Sequence, residues 1–173
     1  MRDEYFTINK KVYSTDMMIS FCDIFKPKET KYNVNELFET IRNHNAWSNN
    51  DGDVYSPQMV LDNPSNKKYK DDIKRIRDSN LKYPIIIVKD KKEFSVANGY
   101  HRIIKAKQQG KKDIRTIVFD YKMLEKFYLL PEKDFDELNE RPVFEIINLF
   151  VERFGISKPS SKQNKLTFSE LVD

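Results

Sequence analysis

Residues 96–120 read VANGYHRIIKAKQQGKKDIRTIVFD, and this stretch decides the fold. Its order is strand, tight turn, helix, stop, strand. Glu93 to Ala97 (EFSVA) reads as a strand, Asn98-Gly99-Tyr100 as a sharp turn, and a helix begins near His101. Ile103, Ile104 and Ala106 give that helix its packing face, Gly110 stands where a helix ends in left-handed backbone, and Ile114 to Phe119 form the next strand. Gly99 allows a positive φ and a close approach of ligand to backbone. The helix start exposes unpaired N–H groups and the positive end of a dipole. Arg102 adds a planar guanidinium suited to phosphate, and His101 adds a second donor. Asn98, Gly99, Tyr100, His101 and Arg102 are therefore the candidate anion site, with phosphate the anion that suits it best. Lys105 either extends this site or lies on a solvated helix face.

Working outward toward the N-terminus, the run Ile85 to Val88 is β-branched throughout, as in a strand buried on both faces, and Pro84 breaks the chain before it. Asp90-Lys91-Lys92 reads as the turn into the next strand. A helix is expected from about Lys67 to Ser79, with Ile73 and Ile76 on its buried stripe. Trp47 to Asn66 is crowded with Asn, Asp, Ser, Gly and Pro and reads as a long loop with little regular structure. Loops of that length inside a domain are often functional. Asn33 or Asn35 caps an expected helix running to about Asn43, and residues 17–24 (MMISFCDI) read as a strand. Toward the C-terminus, Tyr121 to Leu130 looks helical up to Pro131, and a longer helix is expected from about Pro142 to Phe154. Ser157 to Lys165 reads as a polar linker. The division expected is a segment 1–14, a domain 15–120, a helical extension 121–156 and a flexible polar tail 157–173.

Composition narrows the classes. The 173 residues are 39% hydrophobic and 13% aromatic, too rich for a disordered chain, although 34% are charged. The net charge of +4 is mild and its signs are interspersed, so an anionic ligand is permitted without a dedicated nucleic-acid face. No apolar run approaches the ~20 residues of a membrane-spanning helix, and the N-terminus lacks the apolar core of a signal peptide. One cysteine, Cys22, excludes an internal disulfide and points to the cytoplasm or another reducing compartment. Two histidines, His44 and His101, argue against a His-rich metal centre.

The proline-led strand YPIIIV, the turn and helix VANGYHRIIKAKQQG and the closing strand IRTIVFD resemble the ParB/sulfiredoxin-like family over about residues 15–120. With KRIRDSNLKYPIII before the turn, the chain looks like a branch of small ParB-like proteins. The resemblance implies an α/β (α+β) fold with a small mixed sheet, carrying here a C-terminal helical extension. It also implies that the turn and the helix after it bind nucleotide phosphates. Members of the wider superfamily include DNA clamps driven by CTP, ATP-dependent sulfinic-acid reductases, free-serine kinases and reported nucleases. Sulfiredoxins place a catalytic cysteine where Tyr100 stands, and a phenol cannot do that chemistry. The clamps carry Gly-Glu-Arg-Arg where this chain has Gly-Tyr-His-Arg, and a helix-turn-helix domain behind the fold. The related branch has Asp before the glycine. Asn98 can cap the helix, but it cannot act as a base or ligate a metal as a carboxylate does.

The expected function is nucleotide-phosphate binding, with ATP or a related nucleotide and Mg²⁺, in phosphoryl transfer or nucleotide hydrolysis. His101 would orient or donate a proton, Arg102 would neutralise transition-state charge, and Asp53 would act as the acid. Asp51 and Asp53, around Gly52, are the candidate Mg²⁺ ligands, against an ordinary Asx turn. Trp47 and Tyr55 either stack on a base or belong to the core. The other readings are a non-catalytic, DNA-associated regulatory module and a ParB-like nuclease. The pairs Lys67-Lys68, Lys91-Lys92 and Lys111-Lys112 bear on both, and otherwise read as solvated surface. No membrane partner is expected. The apolar stripe of the 142–154 helix reads as core, or else as a surface for a homodimer or protein partner. His44 carries no assigned role.

Overall fold

The computed structural model describes residues 5–48, 52–90, 93–140 and 143–156. The fold is mixed α/β with small sheets. In chain order the elements are β1 (Tyr5–Ile8), β2 (Lys11–Ser14), α1 (Thr15–Phe25), β3 (Thr30–Asn33), α2 (Val34–Ile41), β4 (Trp47–Ser48), β5 (Val54–Tyr55), α3 (Pro57–Asp62), α4 (Lys70–Asp78), β6 (Ile85–Asp90), β7 (Glu93–Asn98), α5 (Tyr100–Gln108), β8 (Asp113–Asp120), α6 (Tyr121–Leu124), β9 (Tyr128–Pro131) and α7 (Val143–Phe154). They fall into two compact units, residues 28–119 and residues 1–27 with 120–173. Residues 15–27, assigned above to the central domain, thus group with the C-terminal part.

The 28–119 unit is built on a four-stranded sheet in the order β3-β8-β6-β7. β6 sits inside this sheet, and Ile85, Ile86, Ile87 and Val88 are all buried, as their β-branched run requires. β6 and β7 pair antiparallel with Val88 opposite Ser95, and the register slips between Ile86 and Ile87. α2 begins where the Asn33 side chain accepts from the N–H groups of Asn35 and Glu36, and its buried face is Val34, Leu37, Phe38 and Ile41. The core joins that face to Ile85, Ile87 and Val96 of the sheet and to Ile103, Ile104 and Ala106 of α5. α5 ends before Gly110, which has φ +64°, and the Lys111 N–H closes back on the Ala106 carbonyl.

The expected irregular loop over 47–66 contains regular structure among its described residues. Trp47 pairs with Tyr55 in a short antiparallel ribbon, and α3 follows. Ser56 caps α3, Pro57 takes its first turn and Val60 is buried, so the Ser-Pro pair that reads as a loop signal is a helix start. A 3₁₀ turn over Lys67–Tyr69 then leads into α4.

In the other unit, residues 17–24 form a helix rather than the strand expected. Ser14 caps α1 by accepting from the Met17 N–H, and the buried Met17, Met18 and Phe21 are spaced as a helix face. β1, β2 and β9 make an antiparallel sheet. The β1–β2 turn has positive φ at Asn9 and Lys10, which a two-residue hairpin favours. Tyr121 to Leu130 is only partly helical. α6 and a 3₁₀ turn over Glu125–Phe127 stop at Tyr128, where the chain joins the free edge of β2 as β9.

α7 covers its apolar stripe within the chain. Ile146, Phe150 and Val151 are buried, and Phe150 packs on Phe154 with ring centres 4.8 Å apart. Phe154 in turn meets Phe21 at 5.1 Å and Phe127 at 5.4 Å. Phe150 and Val151 of the expected stripe thus pack within the chain, and Ile147 is half-buried. Phe127 is fully buried in that cluster. Phe127→Ala is expected to cost about 3–5 kcal/mol in urea unfolding. A loss below about 1 kcal/mol would contradict the packing.

Candidate functional site

The turn after β7 is set by Gly99, at φ +111°. A Cβ there would lie 2.6 Å from Ile85 Cδ1 and 3.1 Å from Arg102 Nη2, so sterics and backbone both exclude a side chain. α5 starts at once, and no side chain caps it. Ser14, Asn33, Ser56 and Asp120 cap α1, α2, α3 and α6, whereas α4, like α5, has no side-chain cap. The uncapped first turn carries Tyr100, His101 and Arg102.

His101 is held by two partners. Its Nε2 lies 2.9 Å from Asp72 Oδ1. Its ring stacks on Trp47, with centres 4.6 Å apart and planes 8° from parallel. Asp72 is 6% exposed, and its other oxygen, Oδ2, accepts from the Tyr55 hydroxyl at 2.6 Å. Tyr55 packs in turn on Tyr69, with centres 4.8 Å apart. Three separate segments thus converge: the β4–β5 ribbon supplies Trp47 and Tyr55, α4 supplies Asp72, and α5 supplies His101. Tyr100 points its ring edge toward Trp47 at 6.4 Å, and its hydroxyl lies 3.4 Å from His44 Nδ1. Both histidines of the chain therefore sit in this one aromatic cluster.

The electrostatics follow from burial and pairing. Burial alone raises the Asp72 carboxyl, but hydrogen bonds from His101 and Tyr55, with the charges of His101 and Arg75, outweigh it and leave the group below its ordinary 3.8. Burial, reinforced by the hydrogen bond to Asp72, drives the Tyr55 phenol well above its ordinary value. Burial pushes Tyr100 up to about 12. Both phenols stay protonated at neutral pH and serve as hydroxyl donors or acceptors.

Several expected site residues take other roles. Arg102 donates from Nη1 to the Pro84 carbonyl at 3.0 Å and from Nη2 to Asn98 Oδ1. The guanidinium therefore ties the entry to β6 to the end of β7, bracing the turn. Asn98 does not cap α5, because its side-chain oxygen accepts from Arg102. Lys105 turns to the end of α4. Its Nζ reaches the Arg77 carbonyl at 2.6 Å and the Ser79 carbonyl, closing the negative end of α4. Asp53 is exposed and faces Lys68 Nζ at 3.5 Å. Lys68 also lies over the rings of Tyr55 and Tyr69. Asp51 lies outside the described residues, as do Lys91 and Lys92. Among the described residues no three His, Cys, Asp or Glu side chains gather as metal ligands. Among the same residues no helix is long and apolar enough to cross a membrane.

Sequence reasoning missed Asp72. Its signal is its place on the buried stripe of α4: Tyr69, Asp72 and Ile76 are all buried and share one helix face. An acid on an apolar stripe needs a partner inside. No family model matches the chain, and no curated protein or solved structure matches it either.

Two outcomes test this geometry. Gly99→Ala is expected to cost about 1–3 kcal/mol in urea unfolding; a neutral substitution would contradict the turn. For Asp72, a carboxyl depressed in the fold stabilises above its unfolded pKa, and that contribution is lost as pH falls through the folded value. The stability gap between wild type and Asp72→Asn should therefore be full at pH 7 and shrink below pH 4. A gap independent of pH would show that the Asp72 charge is not what His101 and Tyr55 hold.

Proposed function

We propose that this chain is a ParB/sulfiredoxin-like, nucleotide-phosphate-binding protein that catalyses phosphoryl transfer or nucleotide hydrolysis. The observation that carries the reading is the first turn of α5, which lacks a side-chain cap, beside an imidazole fixed by Asp72 and Trp47. Unpaired N–H groups with the positive end of a dipole favour phosphate oxygens. Gly99 brings backbone close to such a ligand, and His101 issues from the same turn. The order of strand, glycine turn, helix and strand agrees with the resemblance in residues 85–120.

Arg102 supports the reading in a different way from that expected. Its bonds to Pro84 and Asn98 keep the turn in shape, and its charge stands beside the helix start. Mg²⁺ accompanying the nucleotide would be held by its phosphates and by one or two carboxylates, for which Asp53 and Asp51 stand as the candidates. Tyr55 is buried in the core, so a base near the turn would meet the partly exposed Trp47 and Tyr100 instead.

The test is a thermal-shift panel of nucleoside mono-, di- and triphosphates against wild type and His101→Ala. A nucleotide at 100 times its Kd should stabilise wild type by about 2.7 kcal/mol, and His101→Ala should weaken its binding about tenfold or more. The reading fails if no nucleotide shifts the wild type. It also fails if duplex DNA alone does so, with a steep salt dependence.

A further inference from the structure

We propose that His101 is a general base working through Nδ1, with Asp72 and Tyr55 as its positioning residues. The proposal rests on the phosphoryl chemistry of the preceding section and goes beyond it by assigning the proton's path.

The geometry sets the direction of that path. Asp72 uses both oxygens, one toward His101 Nε2 at 2.9 Å and one toward the Tyr55 hydroxyl at 2.6 Å. An ionised carboxylate only accepts, so Nε2 must carry its hydrogen toward Oδ1. The neutral ring then keeps its lone pair on Nδ1. Among the described residues Nδ1 has no hydrogen-bond partner. Trp47 holds the ring plane, and the His101 side chain remains 22% exposed while that of Asp72 is 8% exposed. The acid is thus sheltered and the imidazole reachable. That is the arrangement in which a carboxylate fixes a tautomer and stabilises the imidazolium that forms.

Placed at the uncapped turn of α5, this base would serve the nucleophile in an attack on phosphorus. The oxygen of water, or of an acceptor hydroxyl, forms a bond to the terminal phosphorus as the bridging P–O bond breaks. The electron pair of that bond leaves on the diphosphate. The proton of the nucleophile passes to His101 Nδ1, the imidazolium is held by Asp72, and the proton then returns to solvent. No electrons are exchanged with an external partner, and the only co-reactant is the nucleophile itself, water in hydrolysis or the acceptor hydroxyl in transfer. A purely structural Asp–His pair would need neither an Nδ1 without a partner among the described residues nor a second hydrogen bond to fix the carboxylate.

The test uses the full chain, with phosphate release from the nucleoside triphosphate that stabilises it most. Asp72→Asn should leave nucleotide Kd within about threefold and lower turnover at least a hundredfold. Tyr55→Phe keeps the packed ring and guards against a misfolded Asp72 variant; it should lower turnover several-fold with Kd unchanged. Long-range ¹H–¹⁵N spectra at alkaline pH should show His101 of the wild type as the Nε2–H tautomer, and this preference should be lost in Asp72→Asn. The proposal is overturned by the Nδ1–H tautomer in wild type. It is also overturned by nucleotide binding without turnover, or by turnover that both variants leave unchanged. Absence of nucleotide binding in wild type removes the preceding reading, and this proposal with it; the other outcomes remove only the proposal.

Discussion

A single buried carboxylate organises the candidate site. Asp72 sits on the inner stripe of α4, where an ionised group is costly unless both oxygens are satisfied. Tyr55 and His101 satisfy them, and in doing so they fix the β4–β5 ribbon and the start of α5 against α4. Trp47, paired with Tyr55 across that ribbon, then has its ring against the imidazole. Remove the charge and three segments lose their common point. The low position of the carboxyl's titration expresses the same fact, since its two donors outweigh its burial.

A second constraint acts at the turn. Gly99 and Arg102 are coupled, because the guanidinium and the Ile85 side chain together fill the space a Cβ would need. Arg102 therefore works first on its own backbone, through Pro84 and Asn98. Its charge still stands beside the helix start, but as a braced group rather than a mobile finger. Lys105 shows the same economy: a cation that a linear reading places along the helix after the turn bonds to the carbonyls at the end of α4.

Much of the central unit was legible in the chain. The β-branched run at 85–88, the glycine turn and the Ile103–Ile104–Ala106 face each carry one strong local preference, and each forms as expected. α1 was misread because a continuous apolar run suits a buried strand as well as a helix, and the deciding cap at Ser14 lies just outside it. α3 was hidden by Ser and Pro, which mark turns and helix starts alike. β9 depends on the edge offered by β2, a contact over a hundred residues away in sequence. The site was half visible. His101 announces itself beside Gly99, whereas Asp72 and Tyr55 meet it only through the tertiary packing of α4 and the β4–β5 ribbon. The tyrosine reads as a core aromatic until its hydroxyl is seen to bind the acid.

The central claim is that the first turn of α5, with His101 set by Asp72, is where phosphate oxygens bind. The most direct measurement is a crystal structure of the full chain with a non-hydrolysable nucleoside triphosphate. The account predicts phosphate oxygens within hydrogen-bond distance of the backbone N–H groups at His101 and Arg102, with Nε2 still on Asp72 and Nδ1 turned to the terminal phosphate. A nucleotide bound elsewhere, or a His101 ring swung off Asp72, would contradict it.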